Sequence, residues 1–366
     1  MTAVLPRRTA SPFSRVLRAA SALVVQPAVF DFWATRVNPL WTWERPLARL
    51  RERRQAAADA VTLVLQTNRH FAGVRPGQHV NLGVEVDGAR LSRSYSPSAV
   101  AGDRIEITVR EVAGGRVSRH LCRDARVGEV FDLGPAFGEM ILPPVVQGRW
   151  LFLAAGSGIT PLMAMLRQLD AAGMPVQMDL MYWARTRAQV CFADELQALA
   201  ARHAGFRLHL ALTGQDDGRG GLAPRIGQTD LATRVPQLAQ CQVYACGSHG
   251  FVQAARQALQ GRVARFEAEA FTPPQALPGE AGTVQVTLSR SGRTLTVPRD
   301  RPLLQALEEQ GLRPASGCRM GICNTCACGK REGITRDTQT NARSAEPDAT
   351  VRICINAAAS DLTLDL

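Results

Sequence analysis

The sequence predicts a multidomain α/β + β protein: an antiparallel β-barrel, then a parallel α/β domain, then a small C-terminal domain organised around cysteines. Three observations predict it. Between residues 55 and 146 the chain runs in short, alternating, β-branched segments separated by turn residues, the pattern of a small closed antiparallel sheet. From Arg149 the period changes, and apolar strand-length runs alternate with helical ones, the pattern of a parallel sheet covered on both faces. Near the end, Cys318, Cys323 and Cys326 form C-x4-C-x2-C, with Cys354 after a gap of twenty-seven residues. The 366 residues are enough for two or three domains, and a 46% apolar content supplies their cores.

Residues 1–54 form a basic N-terminal extension. Residues 1–58 hold ten arginines and no lysine against Asp31, Glu44 and Glu52, whereas the rest of the chain is nearly balanced. Charge concentrated in an extension argues against nucleic-acid binding, which needs a basic folded surface. It fits peripheral contact with an anionic surface, either a bilayer or an acidic partner, and equally a solvated tail. Residues 13–26 have the spacing of a short amphipathic helix ending before Pro27. Residues 30–50 (FDFWATRVNPLWTWERPLARL) carry three of the five tryptophans, which suits a membrane interface, a partner surface or an ordinary lid. No apolar run approaches the ~18 residues that span a bilayer. The expected location is cytoplasmic, soluble or peripheral on the inner face of the membrane.

In the barrel region, strands are expected at 60–68, 79–86, 89–96 and 104–112, with Asp87-Gly88 closing a hairpin between the middle two. The α/β domain is expected over 147–271. Residues 272–282, with three prolines and two glycines, read as a linker. Residues 283–366 open with a hairpin around Ser291-Gly292 and a helix between Pro302 and Gly311.

The cysteine spacing is that of plant-type [2Fe–2S] ligands, so Cys318, Cys323, Cys326 and Cys354 are the expected metal ligands. A zinc site usually pairs two C-x2-C units, and only one is present; a set of ordinary buried cysteines is the other alternative. Gly317 and Gly321 would let the loop wrap closely around a cluster. Cys328 does not fit the spacing and is expected to be a packed thiol. Nine cysteines, four of them ligands, indicate a reducing compartment.

Two motifs on the barrel suit a flavin. In Arg93-Ser94-Tyr95-Ser96 the ring can stack, the guanidinium can pair with phosphate and a hydroxyl can bond the flavin. Gly114-Gly115-Arg116-Val117-Ser118 precedes a helix, where backbone N–H groups suit a pyrophosphate. Gly156-Ser157-Gly158-Ile159-Thr160-Pro161 follows the first α/β strand and allows a dinucleotide phosphate to approach; it is G-x-G-x-x-P, not the Rossmann pattern. Cys246-Gly247 ends a later strand, where ligands meet such sheets; the thiol is either beside a nicotinamide or simply packed. Arg185 and Arg187 could grip a 2′-phosphate and favour NADPH over NADH, or lie in a solvated turn.

In this order, the RSYS, GGRVS, GSGITP, ACGSHG and CRMGICNTC motifs resemble the ferredoxin–NADP reductase family, joined to a plant-type ferredoxin domain of β-grasp-like fold. The resemblance implies FAD on the barrel, held by Arg93, Ser94, Tyr95, Ser96, Gly115, Val117 and Ser118. It implies NADPH, or NADH, along Gly156, Ser157, Gly158, Thr160 and Pro161, with Arg185, Arg187, Cys246 and Gly247. Ser96 and Cys246 would stand at the reacting atoms. A narrower similarity, in FDFWATRVNPLW, PGQHVNLGVEVDG and GCRMGIC, is to bacterial reductases that serve a membrane stearoyl-CoA Δ9-desaturase. It implies electrons passing from NADPH through FAD and [2Fe–2S] to an acceptor protein, the desaturase. The alternatives are the reductase of an aromatic-ring or alkane oxygenase and, in a different class, a non-catalytic redox sensor.

Overall fold

A computed structural model describes residues 26–214, 223–272 and 280–366. The helix expected over 13–26 lies outside the described residues but for Gln26, as do residues 273–279 of the expected linker. Two compact units are present. One comprises the chain through Cys246 with Ala255–Ala268; the other comprises Gly247–Ala254 with Glu269–Leu366.

The first described element is helix α1, Pro27–Val37. Pro27 opens it because a first-turn proline forfeits no hydrogen bond. The barrel follows: β1 Leu47–Ala57, β2 Ala60–Thr67, β3 Val80–Val86, β4 Ala89–Tyr95, β5 Pro97–Ala101, β6 Arg104–Arg110 and β7 Val130–Leu133. The strand order is β4-β3-β7-β1-β2-β6-β5, antiparallel throughout. Its first strand starts at Leu47, ahead of the boundary expected at 55. The run LARLRERRQAA buries Leu47, Ala48 and Leu50 and then turns four charged side chains to solvent, so no alternation marks it as a strand. Asp87 (φ 51°) and Gly88 (φ 70°) make the tight turn expected between β3 and β4. The core holds Leu50, Leu63, Leu65, Leu82, Ile107 and Phe131, each essentially inaccessible to water. Each such side chain contributes ~1.5–3 kcal/mol by leaving water.

The parallel sheet contains β8 Arg149–Ala155, β9 Gln177–Ala184, β10 Phe206–Leu212, β11 Cys241–Gly247 and β12 Arg265–Ala270, in the order β10-β9-β8-β11-β12. Residues 150–154 of β8 are all buried, as expected of a strand covered on both faces. Helix α2, Ile159–Ala171, follows β8, and helix α3, Ala193–Arg202, follows β9. Chain order reverses between β8 and β11, so their carboxyl ends flank the switch-point crevice where such sheets bind ligands.

In the C-terminal unit β13 Thr283–Leu288 pairs antiparallel with β14 Thr294–Pro298 and parallel with β20 Leu362–Leu364. β15 Ala327–Glu332 and β18 Ala349–Arg352 extend this sheet, and a second sheet holds β16 Thr335–Asp337, β17 Arg343–Ser344 and β19 Asn356–Ala358. Helix α4, Leu303–Glu309, runs between Pro302 and Gly311 as expected and buries Leu303, Leu304 and Leu307. A mixed sheet with a helix across it is the β-grasp-like arrangement. No described helix is long and apolar enough to cross a membrane.

Candidate functional site

The flavin candidates lie at the end of β4. Alternation places Arg93 and Tyr95 on one face of the strand. Tyr95 pairs with Val80 across the sheet and packs against the barrel core. Burial drives its phenol well above the ordinary range, against the pull of Arg93, so it stays neutral. Ser94 Oγ donates to Asn81 Oδ1, and Ser96 Oγ lies 2.5 Å from His79 Nδ1, both residues almost wholly buried. His79 is fixed in turn by paired backbone bonds with Phe137. Asn81 and His79 went unassigned at sequence level. Their signal was their position directly across the hairpin from RSYS, inside the PGQHVNLGVEVDG run.

The GGRVS segment turns into a short helix, Arg116–Arg119, that continues as a π-helical turn through Asp124. Gly114 is left-handed (φ 72°), and a Cβ on Gly115 would stand 2.5 Å from Ser118 Oγ and 3.0 Å from Val112 O. Only glycine fits there. The Ser118 hydroxyl accepts from Val112 N–H and donates to Gly115 O, and Val117 is buried. These side chains shape the turn that opens the helix.

At the switch point, Gly156 is left-handed (φ 56°) and opens the turn between β8 and α2. Thr160 Oγ1 donates to Ser157 O at 3.1 Å, and Thr160 and Pro161 are buried in the first turn of α2. Here too the side chains build the turn. Arg185 and Arg187 are exposed just past the end of β9. Cys246 is fully buried at the end of β11, its Sγ 3.9 Å from Met140 Sδ; Gly247, which closes that strand, is buried as well.

A bridge between barrel and α/β domain was missed at sequence level. Arg110, at the end of β6, donates to Gln189 O at 2.6 Å and pairs with Asp59 at 3.4 Å, and Gln189 Nε2 donates to Asp59 at 2.9 Å. The guanidinium lies so close to the switch-point turn that a Cβ on Gly156 would be 3.0 Å from Arg110 Nη1. A second bridge runs from Arg167 on α2 to Ser98 O, Glu106 and Glu195. No short motif marks a lone arginine at a strand end or within a helix, so neither bridge had a signal.

The four expected ligand cysteines lie in the C-terminal unit as two neighbouring pairs, Cys318 with Cys323, whose Sγ accepts from Cys318 N–H at 3.2 Å, and Cys326 with Cys354. The bond from Cys318 pushes Cys323 well below the ordinary thiol range, and the bond from Cys354 pulls Cys326 down. Backbone N–H groups of Met320, Ile322 and Cys323 point at Cys318 Sγ at 3.3–3.4 Å. Among the described residues no three His, Cys, Asp or Glu side chains converge on one metal position. Four thiols at this spacing suit a [2Fe–2S] cluster, in which each iron takes two thiolates. Gly321 (φ 77°), not Gly317, takes the left-handed conformation, together with Arg319 (φ 58°) and Asn324 (φ 56°). Non-glycine residues held there store strain, which clusters at ligand-clamping loops. Arg319 is tied to Glu308 by two bonds of 2.8 and 2.6 Å, pinning the loop to α4. Cys328 is a half-buried thiol packed against the core, outside both pairs.

Comparison with known proteins finds three matching family models. Residues 47–140 match the oxidoreductase FAD-binding domain, 152–257 the oxidoreductase NAD-binding domain and 286–358 the 2Fe-2S iron-sulfur cluster binding domain. The chain is 35% identical to an NADPH oxidoreductase of Mycobacterium tuberculosis over 97% of its own length and 93% of the relative's. It is 28% identical to a glycine betaine monooxygenase reductase subunit of Chromohalobacter salexigens, covering 71% of this chain and 77% of that one. Its fold is that of phthalate dioxygenase reductase, with a TM-score of 0.57 at 24% identity over 87% of this chain and 97% of that one.

Proposed function

Because the chain belongs to the ferredoxin-reductase-type NAD(P)H oxidoreductases that join FAD-binding, NAD-binding and [2Fe–2S] domains, we propose that it supplies single electrons to a membrane fatty acyl-CoA desaturase. Its cofactors are FAD, NAD(P)H and a [2Fe–2S] cluster, and an electron-acceptor protein is its partner. When bound, these groups take electrons in pairs from the nicotinamide and release them singly.

The chain's own residues bind and orient. Arg93 is assigned to the FAD phosphates, Tyr95 to its ring and Ser96, steadied by His79, to its reacting edge. Gly115, Val117 and Ser118 shape the pyrophosphate turn. Gly156, Ser157 and Gly158 offer the NADPH phosphates a backbone cradle that Thr160 and Pro161 hold from within, and Arg185 and Arg187 are assigned to its 2′-phosphate. Cys246 and Gly247 keep the end of β11 small enough for a nicotinamide. Cys318, Cys323, Cys326 and Cys354 hold the irons. The observation that carries the one-electron reading is a cysteine loop, its Cys318 sulfur ringed by three backbone N–H groups, within a 2Fe-2S cluster binding domain on the same chain as the switch-point turn.

The desaturase as acceptor is supported by the likeness of the FDFWATRVNPLW and GCRMGIC runs to desaturase reductases. Reduction of an aromatic-ring or alkane oxygenase is the second reading, supported by the oxygenase reductase components among the relatives. The fatty-acid profile of membranes separates them. A fall in monounsaturated chains on loss of the protein, restored by wild type but not by Cys318→Ser, supports the desaturase. An unchanged profile shifts the acceptor to an oxygenase.

A further inference from the structure

Helix α1 is amphipathic the wrong way round. Its inward positions, Phe30, Asp31 and Ala34, are half-buried, as is its C-cap Asn38, whereas Val29, Phe32, Trp33, Arg36 and Val37 are exposed. Those five recur at i, i+3, i+4, i+7 and i+8, one continuous helical stripe. Trp33 is 61% exposed, Phe32 52% and Val37 76%, and Trp41, just beyond, 54%. These three aromatics are the only large aromatic side chains so exposed among the described residues. Scattered exposed apolar residues need no explanation, but a contiguous stripe does.

The stripe is held in place. Asp31 accepts from Trp43 N–H at 2.6 Å, and Phe30 meets Trp43 edge-on at 5.3 Å. Asn68 Nδ2 donates to Leu40 O and Arg45 O, and His70 Nε2 bonds Thr42 O at 2.8 Å. The barrel therefore presents α1 as a rigid element.

We propose that this stripe docks the protein on an anionic lipid surface, lying in the plane of the interface. Eleven residues cannot span a bilayer but can lie in its headgroup region. The stripe consists of Trp, Phe and Val with one guanidinium, the set enriched at membrane–water interfaces. Arg36 sits over Phe32 at 4.0 Å and near Trp33 at 5.2 Å, so its charge stands at the level of the rings, where lipid phosphates lie. The single carboxylate of α1, Asp31, is turned inward and neutralised by Arg45. Asp31 is the only acidic residue of α1, and none lies on its exposed stripe, where Arg36 is the only charge, which suits an anionic surface. The inference does not depend on which acceptor the protein serves.

The test is flotation of the full-length, cofactor-loaded protein with vesicles of phosphatidylcholine, alone or doped with phosphatidylglycerol. Wild type should float with the anionic vesicles at least tenfold better than with the neutral ones. Trp33→Ser with Trp41→Ser should lower that partition at least tenfold while leaving NADPH–ferricyanide turnover unchanged. Arg36→Glu, which leaves the apolar side chains in place, should lower it too. The proposal is overturned if wild type floats with neither vesicle, or if the stripe variants float like wild type. It is also overturned if they lose reduction of a soluble acceptor protein with their partition intact, which would make the stripe a protein-docking surface.

Discussion

Gly321→Ala tests the cluster loop at its tightest point. Gly321 has φ 77°, and an added Cβ would lie 2.5 Å from Ile355 Cδ1, 3.1 Å from Cγ1 and 3.2 Å from Cγ2. Ile355 is itself buried, so its three atoms have little room to retreat. The left-handed conformation costs an alanine ~1–2 kcal/mol, and overpacking a filled site costs a further ~1–3 kcal/mol. Gly292 is the internal control, because it is left-handed too (φ 67°) but a Cβ there meets nothing within 4 Å. Gly292→Ala should therefore cost only the conformational part, about 1–2 kcal/mol, and Gly321→Ala about 2–5 kcal/mol. Guanidinium titration of the loaded protein, followed by the visible absorbance of the cluster, measures both. Gly321→Ala should move the cluster transition to distinctly lower denaturant than Gly292→Ala does, with the flavin transition unmoved in each. Equal shifts for the two variants would refute the close approach of the loop to Ile355.

Arg110→Ala strips Asp59 of its ion pair and removes the bond to Gln189 O that ties barrel to nucleotide domain; NADPH-driven flavin bleaching should slow on the order of tenfold. Stopped-flow absorbance reads it, and an unchanged rate would make the bridge merely structural. Arg185→Ala with Arg187→Ala should lower kcat/KM for NADPH about 10–100-fold while leaving that for NADH nearly as it was, since each guanidinium contributes through a phosphate that NADH lacks. Burial raises the Asp179 carboxyl, but bonds from His209 and Arg207 outweigh it and hold it below the usual range. Its contribution to stability is therefore complete above the unfolded value of about 3.9 and is lost as pH falls through the lower folded value. Asp179→Asn should destabilise the protein at neutral pH and flatten the loss below about pH 4, measured by denaturant midpoints across pH.

The cluster was the most legible part of the chain, because four thiolates at a fixed spacing leave few other chemistries. The switch-point turn was legible for a similar reason: Gly156 and Pro161 mark a strand-to-helix turn wherever they fall. Strands whose outward faces are charged were harder to read. β1 hides behind RERR, and β12 (RFEAEA) went unread because its residues are mostly half-buried and carry two glutamates. Helix α1 was masked by Pro27 and by aromatics on the wrong face, since apolar periodicity ordinarily points inward. His79, Asn81 and Arg110 act through neighbours distant in sequence, and pairing across a sheet or between domains leaves no local trace.

The most direct test of the electron route is NADPH-driven reduction of cytochrome c by wild type and by Cys318→Ser, with flavin bleaching followed in parallel. Loss of one thiolate breaks the Cys318–Cys323 pair and leaves the barrel and the switch-point turn untouched. Bleaching at the wild-type rate with cytochrome c reduction lowered tenfold or more is the predicted result. Cytochrome c reduced at full rate by Cys318→Ser would contradict the order from flavin to cluster to acceptor.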